Sequence, residues 1–189
     1  MNRTKRKIFE TSMRLFSEKG YDATSIEEIT AVVGVAKGTL YYHFSSKEEI
    51  FNFLVEEGMK LLKNSIEIKV QKCETTVEKL KAVSLVQLKA IIKYENLLTI
   101  VVTQTLGNEK RHEFCREKVA EYIDVIEEII NEGQKKGDII DVDSKILATQ
   151  IFSLTCSTLI YKRNENMDVL DREKIYGEYE KTLFANLEK

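Results

Sequence analysis

Proline is absent from all 189 residues, where ordinary usage of about 5% would place roughly nine. A chain without it loses no backbone donor and meets no ring clash, which favours uninterrupted helix. Histidine is nearly as scarce. His43 and His112 stand in no recognised catalytic or metal-ligand spacing, so no catalytic residue, metal ligand or cofactor is assigned and an enzyme is not expected. Cys73, Cys115 and Cys156 are odd in number, widely separated and without a nearby histidine, which fits neither a disulfide framework nor a zinc site. They read as reduced packing residues. No apolar stretch approaches the roughly 20 residues that span a bilayer, residues 97–102 falling far short. Residues 1–7 are polar and basic with no apolar segment behind them, unlike a secretory signal. These absences predict a cytoplasmic chain with no membrane partner.

What is present is the composition of a globular protein, 43% hydrophobic and 32% charged. The length suits one ordinary domain, or a small module fused to a larger one through a shared helix. The formal net charge of −2 conceals an asymmetry. Through residue 47, eight cations stand against five anions, or +3; the remaining 21 cations and 26 anions give −5. A basic head on an acidic body presents one face to phosphate and repels it elsewhere.

Apolar residues recur at helical spacing, and no alternating segment is bounded by hairpin turn residues, so the expected class is all-α, with about nine helices and no strands. The first helix spans residues 3–19, with Ile8, Ser12, Leu15 and Phe16 inward and Gly20 as a left-handed stop. Ser25 caps a two-turn helix, and Glu28 is placed to complete a capping box. Gly34 ends that helix, and a second short one runs from about residue 36 or 37 to 44. Ser45 with Glu48, or Ser46 with Glu49, opens a long helix carrying Ile50, Phe51, Leu54 and Leu61, whose end is unmarked. Thr75 with Glu78 opens another, carrying Leu80, Val83, Leu88, Ile91 and Ile92. Residues 96–106 follow, closed by Gly107. A long amphipathic helix over 110–136 aligns Cys115, Val119, Tyr122, Ile123, Ile126, Ile129 and Ile130, with Gly137 at its end. Asp143 caps a helix whose Ile146, Leu147, Ile151, Phe152, Leu154, Leu159 and Ile160 cover most of its circumference. The last, over about 168–187, places Tyr176, Tyr179, Leu183 and Leu187 on one stripe. A helix apolar nearly all round needs cover on both sides, so these two C-terminal helices are expected to pack with another copy of the chain.

A capped short helix, a glycine turn, a second short helix and another capped helix between Ser25 and Lys47 make helix-turn-helix geometry. Ile26, Ile29, Val33, Val35, Leu40 and Phe44 are spaced to hold the two short helices together. Lys37, Thr39, Tyr41, Tyr42 and His43 then project outward, a set of cation, hydroxyl, aromatic and imidazole groups suited to phosphates and base edges. Within this segment the run Gly34-Val35-Ala36-Lys37-Gly38-Thr39-Leu40-Tyr41-Tyr42-His43-Phe44, followed by Ser46-Lys47-Glu48-Glu49, closely resembles the DNA-binding signature of TetR-family regulators. The resemblance covers about the first 50 residues; beyond them it extends only to the helical plan. Thr30 and Val33 depart from it, standing where the family usually has alanine, which implies slightly wider helix packing. Gly38 departs from good helix propensity by about 1 kcal/mol relative to alanine and permits close approach to DNA.

The resemblance implies a three-helix DNA-binding domain over residues 1–47 and a larger helical effector-binding and dimerisation domain over 48–189. By it, Thr39 and Tyr42 sit where family members contact DNA, and Tyr41, His43 and Lys47 where they touch the phosphate backbone. Lys37 and Gly38 occupy the helix N-terminus that enters the major groove first. Thr24 and Ser25 lie at the N-terminus of the other short helix, where free N–H groups favour a phosphate. The implied partners are double-stranded operator DNA, a second copy of the chain and an unidentified small-molecule effector. The implied action is that of a repressor released from a palindromic operator when the effector favours a conformation with misplaced recognition helices. Tyr94, Thr99, Thr103, Gln104, Phe114, Cys115 and Tyr122 are the candidates to line the effector pocket, although ordinary helix packing accounts for the same residues. The alternative reading is a helical adaptor or co-regulator without effector sensing.

Overall fold

Helix caps and glycine stops divide the chain as its sequence suggests. The computed structural model describes residues 2–164 and 171–187. Among these residues there are nine α-helices and no strand: α1 (Arg3–Lys19), α2 (Ile26–Val33), α3 (Lys37–His43), α4 (Lys47–Val70), α5 (Thr76–Lys93), α6 (Glu95–Gln104), α7 (Lys110–Lys136), α8 (Ser144–Asn164) and α9 (Arg172–Tyr179). Residues 168–170 of the expected last helix, and the side chains of Leu159 and Ile160, lie outside the described residues. No helix among the described residues is long and apolar enough to cross a membrane.

The helices form two compact units, one of residues 1–58 with 96–118 and the other of 59–95 with 119–189. The expected head therefore shares its unit with α6 and the first turns of α7.

In the first unit, α1, α2 and α3 close around Ile8, Leu15, Phe16, Ile29, Leu40 and Phe44, all buried, with Ile50, Phe51 and Leu54 of α4 beneath. Each such side chain contributes about 1.5–3 kcal/mol on leaving water. Phe44 and Phe53 meet edge to face at 5.4 Å, and the Lys5 ammonium lies 4.4 Å from the Phe53 ring centroid. Gly20 ends α1 with φ 88° and ψ 160°, a mirror-extended conformation and not the left-handed helical one. The Ser25 hydroxyl accepts from the Glu28 N–H at 3.1 Å, but Glu28 pairs with Lys19 instead of closing the box. At α4, Ser46 accepts from the Glu49 N–H, while the Glu49 carboxylate reaches past it to the Ser45 N–H at 2.6 Å. Leu61 is exposed and Leu62 buried, so the inner stripe of α4 drifts by one residue from the expected position.

In the second unit, α5 is the central element, with α8 and α9 packed on it. Its start carries a complete capping box, Thr75 accepting from the Glu78 N–H and Glu78 accepting from the Thr75 N–H at 3.1 Å. Asp143 caps α8 through the Ile146 N–H at 2.8 Å. The expected last helix is α9 followed by a π-helical turn, Glu180–Phe184. Its Tyr179 and Leu187 are buried and Tyr176 and Leu183 half-buried within the same chain. Leu147 and Ile151 of α8 are buried as well. Both helices pack on the chain's own α5, and the described residues that α8 leaves exposed include Ile146, Ser153, Ser157 and Tyr161.

Candidate nucleic-acid interface

The turn between α2 and α3 is built on Gly34, whose left-handed φ of 76° lets both its own N–H and that of Val35 donate to the Thr30 carbonyl, at 2.9 and 3.1 Å. Thr30, the departure from alanine, is buried and satisfies its hydroxyl on the Glu27 carbonyl at 2.9 Å. The extra methyl and hydroxyl are accommodated without an orphaned polar atom. Val33 is half-buried. Leu40, fully buried, pins α3 to the core.

That single anchor leaves the rest of α3 facing outward. Lys37, Gly38, Thr39, Tyr41 and Tyr42 are exposed and His43 is half-buried. Tyr42 is 84% and the adjacent Tyr41 45% exposed, so two aromatic rings face outward side by side. The Tyr42 ring meets the edge of His43 at 5.1 Å. Lys37 pairs with Glu27 of α2, which raises the lysine above its ordinary value and lowers the glutamate through their shared hydrogen bond. A phosphate approaching Lys37 must exchange with that carboxylate. Ser25 is exposed at the start of α2, with its hydroxyl in the cap.

Two of the expected contact residues are used inside the head. Thr24 is buried, and its hydroxyl faces the Gly20 carbonyl at 2.9 Å and the Leu15 carbonyl at 3.3 Å. Its side chain fixes the loop before α2. Lys47 donates to the Tyr21 and Thr24 carbonyls, each at 2.9 Å, and its ammonium stands 4.3 Å from the Tyr21 ring centroid. It holds the same loop.

Arg111 completes this arrangement and had no signal in the sequence. From the first turn of α7 it donates to Asp22 at 2.9 Å and to Gln104 of α6 at 2.9 Å, and its guanidinium lies 4.7 Å from the Tyr21 ring centroid. Partial burial, chiefly, raises the Tyr21 hydroxyl above its ordinary value. The loop over residues 20–25 is thus held from α4 by Lys47 and from α7 by Arg111.

The effector candidates fall in both units and are not brought together as one set within either. Thr99, Thr103, Gln104, Phe114 and Cys115 belong to the first, Tyr94 and Tyr122 to the second. Thr99 is buried, Thr103 exposed with its hydroxyl on the Thr99 carbonyl, and Gln104 engaged by Arg111. Phe114 is half-buried. Burial pushes the Cys115 thiol up to about 11, which makes it a packing thiol and not a nucleophile at neutral pH. Tyr94 is exposed at the end of α5, whereas Tyr122 is fully buried.

A short anchored helix with an aromatic and basic outer face, preceded by a capped helix and a glycine turn, defines a helix-turn-helix nucleic-acid reader. The sequence pattern of the tetR family of bacterial regulatory proteins matches residues 8–54, and that of a tetracyclin repressor-like C-terminal domain matches residues 73–159. The fold is similar, with a TM-score of 0.89 and 31% identity, to a Clostridium perfringens putative fatty acid metabolism regulator, covering 95% of this chain and 97% of that one. It is also similar to AibR in complex with isovaleryl coenzyme A and operator DNA, with a TM-score of 0.80, 25% identity, and 97% and 99% of the two chains covered. Over 52 residues it is 48% identical to the Staphylococcus epidermidis biofilm operon negative regulator IcaR, covering 28% of each. The matched stretch spans about a quarter of the length of the curated relatives. The chain belongs to the TetR family and is a helix-turn-helix transcriptional regulator.

Proposed function

We propose that the chain is a cytoplasmic, non-catalytic repressor that binds a palindromic operator as a homodimer and leaves it when a small molecule enters its helical body. The exposed outer face of α3 carries this reading. Tyr42 and Thr39 read base edges or thymine methyls in the major groove, Gly38 lets the backbone come close, and Lys37, Tyr41 and His43 take phosphates. Ser25 offers the start of α2 to a neighbouring phosphate. Two copies must present α3 about 34 Å apart to meet successive major grooves. The functional division remains a DNA head over 1–47 and an effector and dimer body over 48–189.

The effector is drawn from acyl chemistry. Support comes from the likeness to the Clostridium perfringens putative fatty acid metabolism regulator and to AibR, which was solved with isovaleryl coenzyme A. A ligand that binds the DNA-incompetent conformation better weakens operator binding by that difference in affinity, and DNA weakens ligand binding equally. Gel shifts across the DNA flanking the gene, at stated salt and with and without acyl compounds, test it. A sequence-selective, salt-sensitive shift reversed by an acyl compound is expected; no selective shift on any fragment overturns the repressor reading.

A further inference from the structure

The interior of the second unit holds polar side chains where helix packing calls for apolar ones. Ser84 and Gln87 stand one turn apart on α5, Tyr122 comes from α7 and Thr155 from α8, and all four are buried. Thr155 Oγ1 donates toward Gln87 Oε1 at 3.2 Å and the Ile151 carbonyl at 3.0 Å. Among the described residues the Tyr122 hydroxyl and Ser84 Oγ find no hydrogen-bond partner. Burial raises the Tyr122 hydroxyl well above its ordinary value, and the neighbouring Gln87 side chain acts in the opposite direction. Fully buried Leu80, Leu88, Ile126 and Ile151 flank these residues along the same three helices.

A buried hydroxyl without a partner is destabilising, and native proteins keep few of them. Two such hydroxyls, on α5 and α7 and each nine-tenths buried or more, mark hydrogen-bonding capacity that the folded chain does not use. Among the described residues no carboxylate, ammonium or guanidinium acts on the Tyr122 hydroxyl, whose electrostatic neighbours are Gln87 and the Cys156 thiol. An ionised ligand group placed there would lose its water and find no counter-charge, whereas an uncharged carbonyl would lose little and gain a donor. Burial holds the Tyr122 hydroxyl protonated through the neutral range, so it remains that donor.

We infer that Tyr122, Ser84 and Gln87 form the polar anchor for an apolar effector carrying an uncharged acyl group, an ester, thioester or amide, whose carbonyl oxygen accepts from the Tyr122 hydroxyl; a free fatty acid is the wrong ligand. This rests on the effector-responsive reading above and specifies its chemistry. A site built around an unmet donor rejects analogues that cannot use it far better than an apolar pocket does.

Calorimetry on the DNA-free protein with methyl laurate and laurate, which share one chain length and differ in charge, tests the inference. The ester is expected to bind at least tenfold more tightly than laurate. Tyr122→Phe is expected to weaken the ester about tenfold while leaving the Tm unchanged or raised, because it removes an orphaned hydroxyl. Ser84→Ala supplies a second variant, with a smaller loss in the same direction. Laurate binding as tightly as the ester, binding of neither, or unchanged ester affinity in Tyr122→Phe overturns the anchor. A Tm lowered by Tyr122→Phe with ester affinity unchanged assigns the hydroxyl to packing, which overturns it too. Operator release is read separately by gel shift, so a protein that binds ester but no DNA refutes the repressor reading alone, and one that binds DNA but no ester refutes the anchor alone.

Discussion

Arg111 Nη2 lies 2.9 Å from Asp22 Oδ2 across 89 residues of sequence, and its guanidinium covers the Tyr21 ring at 4.7 Å. One arginine at the start of α7 thus holds the loop from which α2 springs. Asp22 is well exposed, which limits the ion pair to under about 1 kcal/mol; the ring contact adds about 0.5–1 kcal/mol. Arg111→Ala is expected to lower stability by about 1–2 kcal/mol in urea melts and to weaken operator binding. The salt slope of binding should stay unchanged, because no phosphate contact is lost. Arg111→Lys should recover only part of both effects, since an ammonium cannot fork between Asp22 and Gln104.

Tyr42 is expected to act on DNA without acting on the fold. Tyr42→Ala should reduce specific operator affinity by about 1–3 kcal/mol and leave the Tm within error, since its ring is 84% exposed. Parallel gel shifts and thermal melts check both halves; an unchanged affinity would remove Tyr42 from the interface.

Lys37 and Lys47 should separate cleanly. Lys37→Ala removes a surface cation facing the proposed groove and should reduce the salt slope by about one unit on all sequences alike. Lys47→Ala should keep the slope and lower stability, because its ammonium donates to the Tyr21 and Thr24 carbonyls. Binding isotherms at four salt concentrations, with a melt for each variant, distinguish the two.

Gly58 is a close crossing. A Cβ there would overlap Cδ2 of Leu97, a buried residue of α6. Gly58→Ala should therefore destabilise by about 1–3 kcal/mol, and Gly58→Ala combined with Leu97→Ala should lose less than the two single changes together. Additive losses in urea melts would count against a direct clash.

Acid should loosen the start of α5. Hydrogen bonds from the Thr75 and Glu74 N–H groups hold the Glu78 carboxyl below its ordinary value of 4.5. The unfolded chain then binds the proton more readily, so stability rises with pH between the two values. The contribution is complete above 4.5 and disappears as pH falls through the lowered value. Glu78→Gln should flatten that part of the stability curve, measured as urea midpoints from about pH 3 to 6.

Much of the helical plan was legible because its determinants are local. The bounds of α1 and α7, the Thr75–Glu78 box and the Asp143 cap follow from residues three or four apart, and the structure reproduces them. Leu61 was misplaced because neighbouring Leu62 fits the same apolar stripe, and only packing chooses between them. The π-helical turn at Glu180–Phe184 left no trace in spacing that an α-helix would not also leave. The outer face of α3 was readable as a set, since one buried residue, Leu40, fixes the orientation of a seven-residue helix.

The sequence by itself determined an all-helical chain, a helix-turn-helix at its head and the residues that α3 turns outward, because spacing, caps and glycine stops act within one or two turns. Only the tertiary structure decided which polar groups are already engaged. The Thr24 hydroxyl and the Lys47 ammonium proved to be internal ties, Arg111 emerged from a distant helix to join them, and Tyr122 and Ser84 were left without partners among the described residues. Hydrogen bonds and burial among such residues depend on side chains far apart in the chain, and no local pattern encodes that proximity.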